Sequence, residues 1–238
     1  MKIAIIGNGR MGKQLIELSP LFNHEVVAII DGEKDWTERM NDAKKADVAI
    51  EFTTPRSAVN NILKCFELEI PVVCGTTGWD AEFEHVKQIC EQKEQCLFTA
   101  SNFSIGVQLF FRLNSFFARI INQFPEYEIA VEETHHTKKL DKPSGTALHL
   151  IKRLIAELER KNDWTMDESP EKNQIPVKSI RTGDVFGIHQ VKFSSDYDVI
   201  ELNHEALGRE GFARGALTAA QWIIGKKGVF GMDDLLQF

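Results

Sequence analysis

Short apolar runs and stretches of helical spacing alternate through the first hundred residues. Residues 2–6, 25–30, 47–52, 71–74 and 96–99 are almost continuously apolar, as strands buried on both faces of a parallel sheet must be. Between them, residues 11–18, 57–66 and 81–92 carry apolar side chains at helical spacing; in 57–66, Val59, Ile62, Leu63 and Phe66 share one stripe. Strands that alternate with helices predict βαβ units.

After Asn102 the pattern changes. Residues 107–124 form a long predicted helix bearing Leu109, Phe110, Phe111, Leu113, Phe116, Phe117, Ile120 and Ile121, apolar on so many sides that other elements should cover it. Tyr127, Ile129 and Val131 then alternate with Glu128, Ala130 and Glu132, the period of a strand with one wet face. A helix over 146–160 and a polar loop over 162–174 follow. Strand-like stretches occupy 176–206, with turns at Gly183-Asp184 and Asp196-Tyr197-Asp198, most simply antiparallel. A helix over 212–224 and a tail through Gly231 close the chain. No internal repeat or low-complexity tract appears.

With 43% hydrophobic and 26% charged residues, the composition is that of a globular protein able to bury a core. No stretch reaches the roughly 18 apolar residues of a membrane span. Met1 leads directly into a strand pattern without a signal-peptide layout, so a cytoplasmic location is expected. Cys65, Cys74, Cys90 and Cys96 form neither a CxxC pair nor a zinc-spaced set; buried, reduced thiols and no metal are expected. The formal charge of -7 argues against nucleic-acid binding. It also requires that an anionic ligand be held by a local cationic pocket.

Gly7-Asn8-Gly9-Arg10-Met11-Gly12 is a GxGxxG between an apolar strand and an amphipathic helix, and Asp31 ends the next strand. Glycine serves there for the sharp turn, for backbone approach to a pyrophosphate and for helix–strand packing. The helix start then favours phosphate. Asp31 is placed to accept the adenosine ribose hydroxyls and to repel a 2′-phosphate, which makes NADH the expected cofactor ahead of NADPH. Lys34 is close enough in sequence to neutralise a 2′-phosphate. Gly75, Thr76 and Thr77 follow the fourth strand at the carboxyl edge where such sheets bind ligands; a plain turn with threonine capping is the structural alternative. The fold class is therefore α/β: a Rossmann-type parallel-sheet dinucleotide domain, residues 1–103 plus 210–238, with a second α+β domain, residues 104–209, on a mostly antiparallel open sheet.

The chemical candidates crowd into residues 132–147, Glu-Glu-Thr-His-His-Thr-Lys-Lys-Leu-Asp-Lys-Pro-Ser-Gly-Thr-Ala. His135 and His136 are adjacent imidazoles, and Lys138, Lys139 and Lys142 supply local positive charge. Ser144 and Thr146 cap a helix whose free amides can hold a carboxylate. A helix start contributes only about 0.3 to 1 kcal/mol at an exposed site, so a doubly charged ligand needs the lysines and histidines as well. Solvated lysines and structural histidines are the bland alternative.

The run HHTKKLDKPSGTA closely resembles the signature of 4-hydroxy-tetrahydrodipicolinate reductases. The likeness extends to the glycine loop, Gly75-Thr76-Thr77-Gly78, Ser101-Asn102-Phe103-Ser104, Ile180-Arg181-Thr182-Gly183-Asp184, Gly208-Arg209 and the last long helix, and so to nearly the whole chain. It implies an NAD(P)H-dependent oxidoreductase of lysine and diaminopimelate biosynthesis, acting on a small cyclic imine dicarboxylate and assembling as a homotetramer. It further implies that Lys139 protonates the reduced ring and that His135 is a second acid/base or electrostatic group. His136, Lys139, Ser144, Gly145 and Thr146 would bind substrate, and Ser101, Asn102 and Phe103 would lie on the nicotinamide side, with Arg209 and Phe212 where the chain returns to the first domain. Two features depart from the family pattern. The glycine loop is one residue shorter than the commoner GxxGRMG form, and the second strand leads to Asp31 rather than Glu-Arg. Two other functions fit the nucleotide end alone: another dehydrogenase of aspartate or homoserine metabolism, and a dinucleotide-sensing protein without catalysis.

Overall fold

The computed structural model describes residues 1–237; Phe238, included in the expected first domain, lies outside the described residues. The chain divides into two compact units, Ile105–Gly208 and the flanking segments Met1–Ser104 and Arg209 onward.

In the first unit, β1 (Lys2–Ile6), β2 (Glu25–Ile30), β3 (Val48–Glu51), β4 (Val72–Cys74) and β5 (Cys96–Thr99) alternate with α1 (Arg10–Leu18), α2 (Glu33–Ala43), α3 (Pro55–Glu67) and α4 (Phe83–Gln92). Every strand pair is parallel. The spatial order is β11-β5-β4-β3-β1-β2, with β11 (Gly228–Phe230) from the end of the chain added beside β5. The order reverses between β1 and β3, and such a switch point leaves a crevice at the strands' carboxyl ends. Ile3, Ile5, Ile50, Val73 and Leu97 are wholly buried, as expected of a sheet covered on both faces.

Three elements of this unit, α2, β11 and α8 (Met232–Leu236), have no counterpart in the apolar pattern. Only Trp36 and Ala43 of α2 are buried, too few to mark a helical stripe. The predicted tail holds β11, whose three residues begin with a glycine and are only half-buried, so no continuous apolar run marks it.

The second unit contains α5 (Ile105–Ile121), β6 (Glu128–His135), α6 (Gly145–Glu157), β7 (Asp163–Thr165), β8 (Gln174–Arg181), β9 (Ile188–Ser194) and β10 (Val199–Glu205), with strand order β10-β9-β6-β8-β7. Residues of β6 alternate strictly between exposed or half-buried and buried. Ile129 and Val131 thereby join Val107, Phe111, Leu150, Leu154, Val191 and Phe193 in one core.

Three expectations are corrected here. The sheet is mixed: β9 and β10 are antiparallel neighbours of β6 and β9, but β8 runs parallel to β6, because α6 carries the chain back over the sheet as a crossover must. The polar loop expected over 162–174 begins with the short edge strand β7, which lies parallel to β8. And α5 is not covered all round: Leu109, Leu113, Phe116 and Ile120 remain between 39% and 60% exposed, since a helix lying on one sheet buries only the stripe that faces it. The chain finishes with α7 (Glu210–Trp222), β11 and α8 (Met232–Leu236) in the first unit.

Candidate functional site

The first unit offers a nucleotide cradle. Leaving β1, Gly7 takes φ +99°, and a Cβ there would lie 2.1 Å from the Phe52 carbonyl oxygen. At Gly12, on the α1 face against the loop, a Cβ would fall 1.9 Å from the Gly7 carbonyl. Only glycine fits either place. The position of a Gly9 Cβ is open space, and α1 begins with no side-chain cap, so its first amide groups are available to an anion. Asn8 and Arg10 are exposed and Met11 is half-buried.

Asp31 is tied to this loop: its Oδ1 accepts the Asn8 amide at 2.8 Å, and its own amide donates to Asp35 at 2.7 Å. A cavity of about 380 Å³ opens between them, lined by Gly7, Gly9, Asp31, Gly32, Glu33 and Thr53 among others, and by no lysine or arginine. Lys34 points elsewhere, 84% exposed and 3.6 Å from Glu38.

Beneath the cavity lies a polar network that sequence reasoning missed. Glu51 is fully buried. It accepts hydrogen bonds from the Thr53 hydroxyl, from Cys74 Sγ at 3.2 Å and from Asn61 Nδ2 at 3.4 Å, while Trp36 Nε1 donates to Asn61 at 3.0 Å. Burial, and then the charge of Glu51, push the Cys74 thiol well above the ordinary thiol range. All four cysteines are free and buried. An acidic residue closing an apolar strand was the available signal. Thr76 is buried and accepts the Thr53 amide at 2.7 Å, Gly75 packs against the Phe52 ring, and Thr77 is exposed. Ser101 is exposed and Asn102 Oδ1 accepts the Ser104 amide at 2.9 Å. Phe103 is 2% exposed, its ring packed between Phe52 and Phe98, so its side chain is part of the core.

In the second unit, the alternation of β6 turns Glu133 and His135 to the buried side, in line with Ile129 and Val131. Registration across the sheet sets His189 of β9 opposite Glu133, and Arg181 of β8 opposite His135. Glu133 Oε1 accepts Arg181 Nη2 at 2.8 Å and the Ser144 amide at 3.0 Å; Oε2 lies 3.1 Å from His135 Nδ1 and 3.9 Å from His189 Nε2. Burial pushes the Glu133 carboxyl up, but hydrogen bonds from His135, Ser144 and Arg181 outweigh it and hold the group well below the usual carboxylate range. Burial, and next the charge of His135, push His189 down to about 3, which keeps that ring neutral. The His135 and His189 rings meet edge to face at 5.1 Å.

The loop after β6 turns so that the Lys139 amide donates to the His136 carbonyl at 3.1 Å. The Lys139 ammonium sits 2.9 Å from Asp141 Oδ1. Burial works against the Asp141 carboxylate, but Lys139 and the Gly145 amide prevail and lower its pKa. Ser144 caps α6, its hydroxyl accepting the Ala147 amide at 3.2 Å. Gly145 is exposed with open space where a Cβ would stand. His136 and Thr146 are half-buried, and Lys138 and Lys142 are exposed. The structure thus gathers His135, Ser144, Glu133, Arg181 and His189, with Lys139 and Asp141 at the start of α6. Of these, Glu133 and His189 were not singled out from sequence, although a charged residue on the inward parity of β6 demands a partner. Glu133, His135 and His189 are also the one group, among the described residues, with donor atoms close enough to share a metal ion. Arg181 already balances the carboxylate, and a dication beside that guanidinium would be repelled.

Profiles described as dihydrodipicolinate reductase, N-terminus and C-terminus, match residues 1–103 and 106–236. The chain belongs to the dihydrodipicolinate reductase family. It is 40% identical over 236 residues to the 4-hydroxy-tetrahydrodipicolinate reductase of Christiangramia forsetii, covering 99% of this chain and 98% of that one. Against the enzyme of the same name from Methanoregula boonei it is 36% identical over 256 residues, with 99% and 97% covered. Its fold matches the dipicolinate-bound dihydrodipicolinate reductase of Paenisporosarcina sp. TG-14 with a TM-score of 0.80 over 98% of both chains, at 22% identity. Membership in this reductase family displaces the aspartate and homoserine dehydrogenase alternative.

Proposed function

We propose that this chain reduces the cyclic imine dicarboxylate 4-hydroxy-tetrahydrodipicolinate to tetrahydrodipicolinate at the expense of NAD(P)H, as a step of lysine and diaminopimelate synthesis. The observation that carries this reading is the place of Asp141. Its carboxylate already rests between the Lys139 ammonium, at 2.9 Å, and the start of α6, so these groups are built to hold a carboxylate. A substrate carboxylate takes the same partners: Lys139, the Gly145 and Thr146 segment, the Ser144 cap and His136.

Reduced nicotinamide, when bound, supplies the hydride and its two electrons to a ring carbon. Lys139 delivers a proton to the neighbouring carbon as negative charge builds there, and His135 stabilises that charge electrostatically. Loss of the ring hydroxyl as water completes the balance. Residues 1–103 and 210–238 serve the dinucleotide, through Gly7 to Gly12, Asp31, Gly75 to Thr77 and Ser101 to Phe103; residues 104–209 serve the substrate and assembly. Acidic Asp31 and Glu33 line the cavity and no cation does, which supports NADH as the preferred cofactor because a 2′-phosphate would meet two carboxylates. No helix among the described residues is long and apolar enough to cross a membrane. A cytoplasmic homotetramer is the expected state, checked by light scattering.

Calorimetry with pyridine-2,6-dicarboxylate in the presence of NADH tests the site. Binding to the wild type that is lost in Lys139→Ala, while NADH affinity persists, is the expected result. Turnover in that variant should fall by about 10²- to 10⁴-fold. Equal, small losses of turnover and cofactor affinity would instead indicate a dinucleotide sensor.

A further inference from the structure

The buried Glu133 takes part in no step above. We propose that Glu133 is a positioning residue, which fixes the proton of His135 on Nδ1 and leaves Nε2 as the nitrogen offered to the substrate; the proposal rests on the reading of His135 as a group acting on substrate.

Two donors hold Glu133 Oε1. Its two partners, the Ser144 amide at 3.0 Å and Arg181 Nη2 at 2.8 Å, are donors that cannot accept, so this oxygen is committed as an acceptor. Oε2 is 3.1 Å from His135 Nδ1, close but short of hydrogen-bond geometry, and neither buried atom has a hydrogen-bond partner among the described residues, so each is the other's nearest candidate. An ionised carboxylate only accepts, and the surrounding donors keep Glu133 ionised. Nδ1 must therefore carry the hydrogen. His189 does not compete, since its Nε2 is 3.9 Å from Oε2 and lies 3.4 Å from the Ser144 hydroxyl. The other nitrogen, His135 Nε2, lies beside Gly187, where an added Cβ would stand 3.1 Å away, so the glycine leaves space next to it. When the ring is protonated, Nε2–H becomes a donor and the positive charge rests against Glu133.

Glu133→Gln reverses this arrangement. Arg181 and Ser144 retain the amide oxygen, so the NH₂ group must occupy the Oε2 position and point a donor at His135 Nδ1. The neutral ring then answers with a lone pair on Nδ1 and carries its proton on Nε2. Nitrogen-15 NMR of the histidine rings reads this directly. The expected neutral form of His135 is Nδ1–H in the wild type and Nε2–H in Glu133→Gln. The variant's kcat should fall about 100-fold with NADH affinity unchanged, and Glu133→Asp should recover part of the loss. An Nε2–H ring in the wild type overturns the proposal, and that spectrum decides even if the variant does not fold. So does a Glu133→Gln enzyme with wild-type kcat while His135→Gln is slow. If His135→Gln itself turns over at the wild-type rate, the reading of His135 fails rather than the placement of its proton.

Discussion

Replacing Arg181 by Met should unfold this protein more readily than any other single change at the site. The Arg181 side chain is 7% exposed and its partner Glu133 is 0% exposed, with 2.8 Å between Nη2 and Oε1. Removing one member of such a pair strands the other as an unpaired buried charge, which costs about 3–5 kcal/mol. A domain of ordinary stability holds only about 5–15 kcal/mol in total, so the loss is a large fraction. Arg181 also donates to the carbonyls of Ile180, at 2.7 Å, and Asp141, at 2.5 Å, so the loop bearing Lys139 loosens as well. The pH dependence follows from the depressed native pKa of Glu133. Its stabilisation is complete above the unfolded carboxylate value of about 4.3 and is lost as pH falls through the native value. Without Arg181 the carboxyl is protonated more easily, so the difference between wild type and variant is largest at neutral pH and narrows in acid. Urea titrations followed by circular dichroism at pH 7 and pH 4 measure both quantities. A loss below about 1 kcal/mol at pH 7, the ordinary range of an exposed pair, would refute the reasoning, as would a difference that widens in acid.

Two other perturbations separate roles that the structure keeps distinct. Gly12→Ala drives a Cβ into the Gly7 carbonyl and should cost about 1–3 kcal/mol of stability together with dinucleotide affinity. Gly9→Ala meets nothing in the empty loop, so it should leave the melting temperature unchanged and weaken NADH alone; parallel losses in both variants would contradict a pyrophosphate beside Gly9. His189, neutral down to about 3 because of burial, protonates near 6.5 when unfolded. Stability should therefore be full above about pH 6.5 and fall as pH drops from there, by up to about 1.4 kcal/mol per pH unit. His189→Gln should flatten that slope by about one proton in urea titrations between these limits, and an unchanged slope would place the titrating ring elsewhere.

The parallel sheet was legible because strands such as Ile3 to Ile6 and Val48 to Ile50 are buried on both faces and so had to be continuously apolar. The amphipathic α2 escaped notice because Trp36 and Ala43 do all of its burying. The direction of β8 could not be read from its own residues. It follows from the crossover through α6, a property of connection rather than of pattern. The chemical loop stood out by its residue types, two adjacent imidazoles and three ammonium groups beside a helix start. Glu133 was harder to see: a glutamate beside Glu132 looks like surface charge until the two-residue period of β6 assigns it to the core and the distant strands β8 and β9 bring Arg181 and His189 to meet it.

The most direct test of the account is the rate at which the purified protein oxidises NADH and NADPH when offered the cyclic imine freshly made by the upstream synthase. The account expects rapid oxidation that depends on the imine, a higher kcat/KM with NADH, and near-complete loss in Lys139→Ala. No imine-dependent oxidation with either cofactor, or full activity in Lys139→Ala, would contradict it.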